Sequence, residues 1–355
     1  MNGETGPLIV NALGSLENPN LALERPFEGG IDTTRPDVDD RAVDDAIASG
    51  LSAVNITLGY VAGTMDPFEH TLASISAWDR ILELRADRLL KVGAVADILR
   101  ARAEARIGVI YGFQNAAQVG EAPERTEVFG DLGVRVVQLT YNPANQIGDG
   151  AMAPQNRGLT ELGREVVARL NARRMMVDLS HSGERTCLEA TQASTAPVSI
   201  NHTGCRALCD LPRNKTDAEL RGVAQKGGFI GIYFMPFLAP DGQARARDVV
   251  DHIDHAVSVC GEDHVGIGTD GGATGIDDLG RYQARLTLEV ADRARRGIGA
   301  KGEASDTYPF VVDLRGPGQF RQLQALLAAR GYSEGRIEKI MGGNFLRFAR
   351  EVWGR

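Results

Sequence analysis

Short apolar runs rich in Val and Ile recur along the chain and alternate with longer stretches whose apolar positions repeat at i, i+3, i+4 and i+7. The first pattern predicts strands, the second amphipathic helices. Eight strands are predicted, at 8–10, 53–57, 107–111, 134–140, 175–179, 198–200, 229–233 and 265–268. Helical periodicity occupies 42–47, 70–84, 162–170, 218–224 and 249–260. Strands that are apolar throughout, each followed by a helix, imply a parallel sheet covered on both faces. Eight such units predict an α/β fold, a (β/α)₈ TIM-like barrel, with 1–355 as a single domain. A doubly wound open sheet is the alternative, but it usually carries a Gly-rich phosphate loop after its first strand, and Asn11–Glu17 does not supply one.

Two segments fall outside the repeat. Residues 17–38, rich in Pro, Asn and Asp, form a long first βα loop. Residues 271–316 hold a helical stretch at 286–296 and end in Gly316-Pro-Gly. Loops of that length in a compact domain are commonly functional, so the second is expected to be a lid over the strand ends or an oligomer contact. Two closing helices are predicted at 319–329 and 334–353, with Gly342-Gly-Asn breaking the latter.

A barrel of this kind carries its chemistry at the C-terminal ends of the strands. Those ends hold Asn11 to Ser15, Thr57, Gln114, Tyr141, His181, His202, Tyr233 and Asp270. His181 and His202 end consecutive strands, which sets two imidazoles side by side at the mouth. They suit two nitrogen ligands on a zinc-like ion, or a hydrogen-bonded structural or substrate-binding pair, since a catalytic zinc takes three protein ligands. Asp270, in Gly-Ile-Gly-Thr-Asp-Gly-Gly, suits a metal ligand or a general base; its bland alternative is a helix N-cap. Arg213 lies eleven residues after His202 and suits a clamp for a substrate carboxylate, or is a surface Arg. Tyr141, Asn142 and Asn145 suit polarisation of a carbonyl, or capping of their loop. His70, His252, His255 and His264 fall on helices or before a strand and are expected to be structural.

Composition narrows the function classes. Charged residues make up 24% and hydrophobic ones 43%, so a packed core is expected rather than a disordered chain. Against 39 Lys and Arg stand 47 Asp and Glu, and the longest basic cluster, Arg293 to Arg296, is interrupted by Ala294. A protein that neutralises nucleic-acid phosphates needs a basic stripe, so no nucleic-acid partner is expected. Neither a signal peptide nor a membrane-length apolar run is evident, which predicts a cytoplasmic protein with no membrane partner. Cys187, Cys205, Cys209 and Cys260 are too few for a disulfide framework. Cys205 and Cys209 near His202 suggest a thiolate zinc site, but without a second Cys/His pair, packing on one helical turn is the preferred reading.

Several stretches, in order, resemble the membrane (renal) dipeptidase family: Gly133 to Asn142, Gly158 to Arg164, Val177 to Ser182, His202 to Asp217, Val265 to Asp270 and Gly342 to Arg347. The resemblance implies a zinc-dependent barrel hydrolase cleaving a dipeptide, often as a homodimer, with two metal ions. It assigns those ions a His-x-Asp after the first barrel strand, a bridging Glu after the third, two His after the fifth and sixth, and an Asp after the eighth. His181, His202 and Asp270 match the last three. The others fall on Leu13, Ser15 and Gln114, the carbonyl-polarising His on Tyr141, and the carboxylate-binding Arg on Arg213. The matched set implies a dipeptidase-like hydrolase of a small carboxylate-bearing substrate, with one Zn²⁺ or none, held by His181 and His202. Asp270, Tyr141 and Gln114 then carry catalysis, and Arg213, Asn142 and Tyr233 bind substrate. Two other readings stay open: a degenerate barrel that binds a small acid, and a metal-independent lyase or isomerase using His181, His202 and Asp270.

Overall fold

The structure, a computed structural model, describes residues 7–354. Nine parallel strands form one sheet: β1 (Val10–Gly14), β2 (Ala53–Leu58), β3 (Leu89–Val92), β4 (Ile107–Phe113), β5 (Val134–Gln138), β6 (Met176–Asp178), β7 (Ser199–Thr203), β8 (Phe229–Ile232) and β9 (Val265–Ile267). Eight run in the order β1-β2-β4-β5-β6-β7-β8-β9, and helices alternate with them as a (β/α)₈ barrel requires. The ninth, β3, pairs with the first four residues of β4, whereas β5 pairs with the last three. It went unread because Leu-Leu-Lys-Val is short and follows a charged stretch, Arg85 to Arg88.

The seam between the first and last barrel strands is closed by particular polar groups. Asn11 Nδ2 donates to Thr269 Oγ1 and Asn11 Oδ1 accepts from the Thr269 amide, both at 2.8 Å. The Asp270 amide donates to Leu13 O at 3.0 Å, and that of Ser15 to Gly271 O at 3.2 Å. The first strand therefore runs two to four residues later than the pattern predicts, and Asn11 to Gly14 lie within it. Asn11 is a barrel-closing residue, which explains an amide at an otherwise apolar position. Next to the seam a Cβ on Gly268 would stand 1.9 Å from Asn201 O, so only glycine fits there.

Thr216 caps the helix Asp217–Gln225 in a reciprocal box with Glu219. At the opposite end of the barrel, Phe345, Phe348 and Trp353 of the final helix pack with Val10 and Phe229. Gly342 and Gly343 do not break that helix: Lys339–Gly343 is a π-helical turn leading into Asn344–Trp353. Gly342 allows the close approach, since a Cβ there would meet Leu8 O at 2.8 Å.

Both long segments gather over the strand ends and hold each other. The 17–38 loop contains a short helix, Pro19–Leu23, and the Gly30 amide donates to Asp292 Oδ2 at 2.8 Å. Helix Leu279–Arg295 spans the middle of the second segment. Asn142 Nδ2 donates to Ile298 O at 2.8 Å and the Val311 amide to Phe234 O at 3.1 Å, which ties this segment to the barrel.

Candidate active site

At the C-terminal ends of β6 and β7 the two histidines meet. His202 Nε2 lies 2.9 Å from His181 Nε2, and His181 Nδ1 lies 2.7 Å from Asn142 Oδ1. Because Asn142 Nδ2 donates to Ile298 O, its Oδ1 accepts, which assigns the His181 proton to Nδ1. The lone pair on His181 Nε2 then receives the His202 Nε2–H, leaving His202 Nδ1 buried without a partner. Burial holds both imidazoles well below their usual basicity, and the Arg213 guanidinium adds to it, so both are neutral. Their backbone is organised from Asp178 at the end of β6. Its Oδ1 accepts from the Ser180 hydroxyl at 2.5 Å and the Asn201 amide at 3.0 Å, and Ser180 Oγ accepts from the His202 amide at 3.1 Å.

Asp270 follows β9 with φ of 59°, the left-handed region, and no helix begins after it, so it is no N-cap. Gln114 Nε2 approaches its Oδ1 at a long 3.4 Å. Desolvation pushes the Asp270 carboxyl up to about 6, with Arg213 opposing. It lines three adjoining cavities of about 280, 230 and 230 Å³. Any two together reach the ~300–1,000 Å³ common for small-molecule sites.

Tyr141 stacks on His181, ring centroids 4.3 Å apart, and its hydroxyl accepts from Arg293. Asn142 orients His181 and Asn145 closes its own loop, accepting from the Ile147 amide at 2.8 Å. Tyr233, expected to touch substrate, is instead wholly buried: its hydroxyl donates to Asn214 Oδ1 and its ring underlies the Arg213 guanidinium at 5.9 Å. Arg213 itself is 2% exposed, donates to Ser180 O at 2.7 Å, and has no carboxylate in ion-pair range among the described residues.

Sequence reasoning missed three charged groups. Glu17 lines two of the cavities; it stays accessible, but the surrounding protein desolvates it and pushes its carboxyl up to about 7. Arg293 and Glu303 pair at 2.7 Å beside Tyr141. None ends a strand, where the barrel pattern points. The other histidines are structural as expected; His252 Nδ1, for example, accepts the Cys205 amide at 2.8 Å. Burial raises the Cys205 and Cys209 thiols, consistent with packing.

The donor set can be tested against metal. Leu13 has no ligating atom and Ser15 offers only a neutral hydroxyl, which already accepts from the Glu17 amide, so neither replaces an imidazole or carboxylate ligand. Among the described residues no three His, Cys, Asp or Glu side chains converge as a metal site. A binuclear centre does not fit. Two neutral imidazoles with facing Nε2 atoms, one oriented by Asn142 in the manner of an outer-shell partner, fit two ligands of one ion when the His202 proton sits on its free Nδ1 in place of Nε2.

Comparisons with known proteins define the class. An amidohydrolase from Pseudomonas aeruginosa has the same fold, with TM-score 0.81 and 30% identity over 99% of this chain and 98% of that one. A metallopeptidase from Rhodobacter sphaeroides shares the fold at 20% identity, TM-score 0.75, over 98% and 99% of the two chains. The pattern of the membrane dipeptidase family, Peptidase family M19, matches residues 40–299, and the chain belongs to that family of hydrolases. The dipeptidase tcpJ of Claviceps purpurea is 32% identical over 79% of this chain, which spans 60% of the length of that relative. Among the described residues no helix is long and apolar enough to cross a membrane.

Proposed function

We propose that the protein hydrolyses the amide of a dipeptide or similar small carboxylate-bearing molecule at the barrel mouth. The observation that supports this most is the buried Arg213 guanidinium, without a carboxylate partner, behind a mouth shared by the histidine pair, Tyr141 and Asp270. Leaving a charge buried and unpaired is costly, and a substrate carboxylate relieves it. Asp270, as carboxylate, takes a proton from the attacking water while its oxygen bonds to the carbonyl carbon. The carbonyl π pair moves to oxygen, where Tyr141 donates a hydrogen bond. As the C–N bond breaks, the nitrogen takes that proton from Asp270 and leaves as an amine. Gln114 orients Asp270, and Asn142 orients His181. His181 and His202 are the side chains that would hold a single Zn²⁺, which when bound supplies Lewis-acid polarisation.

The test combines a dipeptide panel with metal analysis of protein purified without chelator or nickel affinity. Hydrolysis lost in Asp270→Asn, and no more than one ion per chain, absent after His181→Ala plus His202→Ala, is expected. Metal-free protein that still turns over a dipeptide would remove the ion from the scheme. Protein inert to dipeptides and acyl-amino acids but stabilised thermally by a carboxylate ligand would replace hydrolysis with binding.

A further inference from the structure

The 271–316 segment places a guanidinium on the candidate oxyanion donor. From helix Leu279–Arg295, Arg293 Nη1 and Nη2 donate to the Tyr141 hydroxyl oxygen at 3.3 and 3.2 Å. Its Nε and Nη2 pair with Glu303 at 2.9 and 2.7 Å, and Nη2 reaches Ile298 O at 3.3 Å. Glu303 and Ile298 belong to the same segment, so Arg293 is fixed from its own side and presented to the barrel as a unit. The Tyr141 ring, in turn, is held flat on His181 at an interplanar angle of 23°.

These contacts decide where the phenolic proton points. An oxygen that accepts from both guanidinium nitrogens cannot also donate to them. Among the described residues the hydroxyl has no protein acceptor, and Tyr141 shares a cavity of about 230 Å³ with Asp270. A substrate oxygen beside Asp270 is the acceptor that remains.

We propose that Arg293 is a positioning residue for the hydrolysis. It aims the Tyr141 hydroxyl proton at the oxyanion of the tetrahedral intermediate, so docking of the 271–316 segment completes the oxyanion donor. No proton is transferred; Tyr141 donates a hydrogen bond and Arg293 fixes its direction. This role rests on the protein being a hydrolase of the kind proposed.

The test compares Tyr141→Phe, Arg293→Met, Arg293→Lys and the Tyr141→Phe/Arg293→Met pair. Steady-state kinetics on a dipeptide are measured alongside affinity for a phosphinate dipeptide mimic, whose tetrahedral anion resembles the intermediate. Loss of one oxyanion donor costs about 10²-fold or more in kcat, so Tyr141→Phe is expected to lose about that with KM within threefold. Arg293→Met is expected to lose at least about tenfold in kcat in the wild-type background and nothing further in the Tyr141→Phe background, because coupled groups are non-additive. Arg293→Lys should recover part of the loss, and phosphinate affinity should fall in step with kcat/KM. Equal losses in both backgrounds, or a change in KM alone, overturn the proposal. If Arg293→Met does not fold, wild-type kcat in Arg293→Lys overturns it. If the wild-type protein turns over no dipeptide, the hydrolase reading falls and the catalytic role with it; phosphinate affinity weakened in both Tyr141→Phe and Arg293→Met then still supports Arg293 aiming the Tyr141 hydroxyl at a bound anion, and unchanged affinity overturns that too.

Discussion

Asp270→Asn removes one negative charge from the barrel mouth while keeping the shape of the side chain. The substitution is tolerant of the backbone, because asparagine is among the residues best suited to the left-handed φ of 59° found here. Gln114 Nε2 retains an acceptor. The charge itself is what changes. Desolvation raises the carboxyl from 3.8 in an ordinary setting to about 6 in the fold. At about 1.4 kcal/mol per pH unit this is at most about 3 kcal/mol of lost stability at neutral pH. Water in the adjoining cavities screens the charge, which leaves about 1–2 kcal/mol.

The sign follows from the raised value. Below about pH 4 the carboxyl is protonated in both folded and unfolded chains, and the penalty is absent. Between about 4 and 6 the unfolded chain ionises while the folded one resists, so stability falls as pH rises; above about 6 the penalty is constant. Urea unfolding of wild type and Asp270→Asn at matched pH between 3.5 and 7.5 reads this directly. The variant is expected to be the more stable at pH 7, with an advantage that vanishes near pH 3.5. An advantage independent of pH, or a variant less stable at neutrality, would show that Asp270 is not a desolvated carboxylate.

If Asp270 is the base of the proposed hydrolysis, kcat/KM is expected to fall about tenfold per unit below about pH 6, and a flat profile from 5 to 7 would assign the base elsewhere. Lys215 and Glu219, both fully buried, pair at 3.0 Å. Lys215→Met leaves Glu219 without its counter-ion and should cost about 3–5 kcal/mol in urea unfolding, with part regained in Lys215→Met/Glu219→Gln. Gly268→Ala drives a methyl into Asn201 O and should cost at least about 3 kcal/mol or prevent soluble expression. Gly271→Ala, where a Cβ meets nothing within 4 Å, should stay within about 0.5 kcal/mol of wild type in the same assay.

The parts of this molecule legible in sequence are those set by local periodicity. Eight apolar runs and the helices between them define the barrel, and strand ends then locate His181, His202 and Asp270 without any long-range information. Asn11 shows the limit: its amide marks the closing seam, yet the bonds it makes are to Thr269, 258 positions away. Tyr141 and Arg293 are 152 positions apart, and the helical period of 279–295 says nothing about which barrel residue its last turn meets. Charge at the mouth is likewise a tertiary property. Leu13, Ser15 and Gln114 stand where the family resemblance assigns anionic or imidazole ligands, while the charges that bear on His181 from around it are Arg213, Arg293 and Lys215. A centre for two dications needs surrounding carboxylates to offset them. This mouth sets Arg213, Arg293 and Lys215 around two neutral imidazoles, which disfavours a second dication and favours an anionic substrate or oxyanion. Arg213 and Lys215 come from one short motif, but Arg293 reaches the site from a segment about 80 positions later, and no local pattern brings it there.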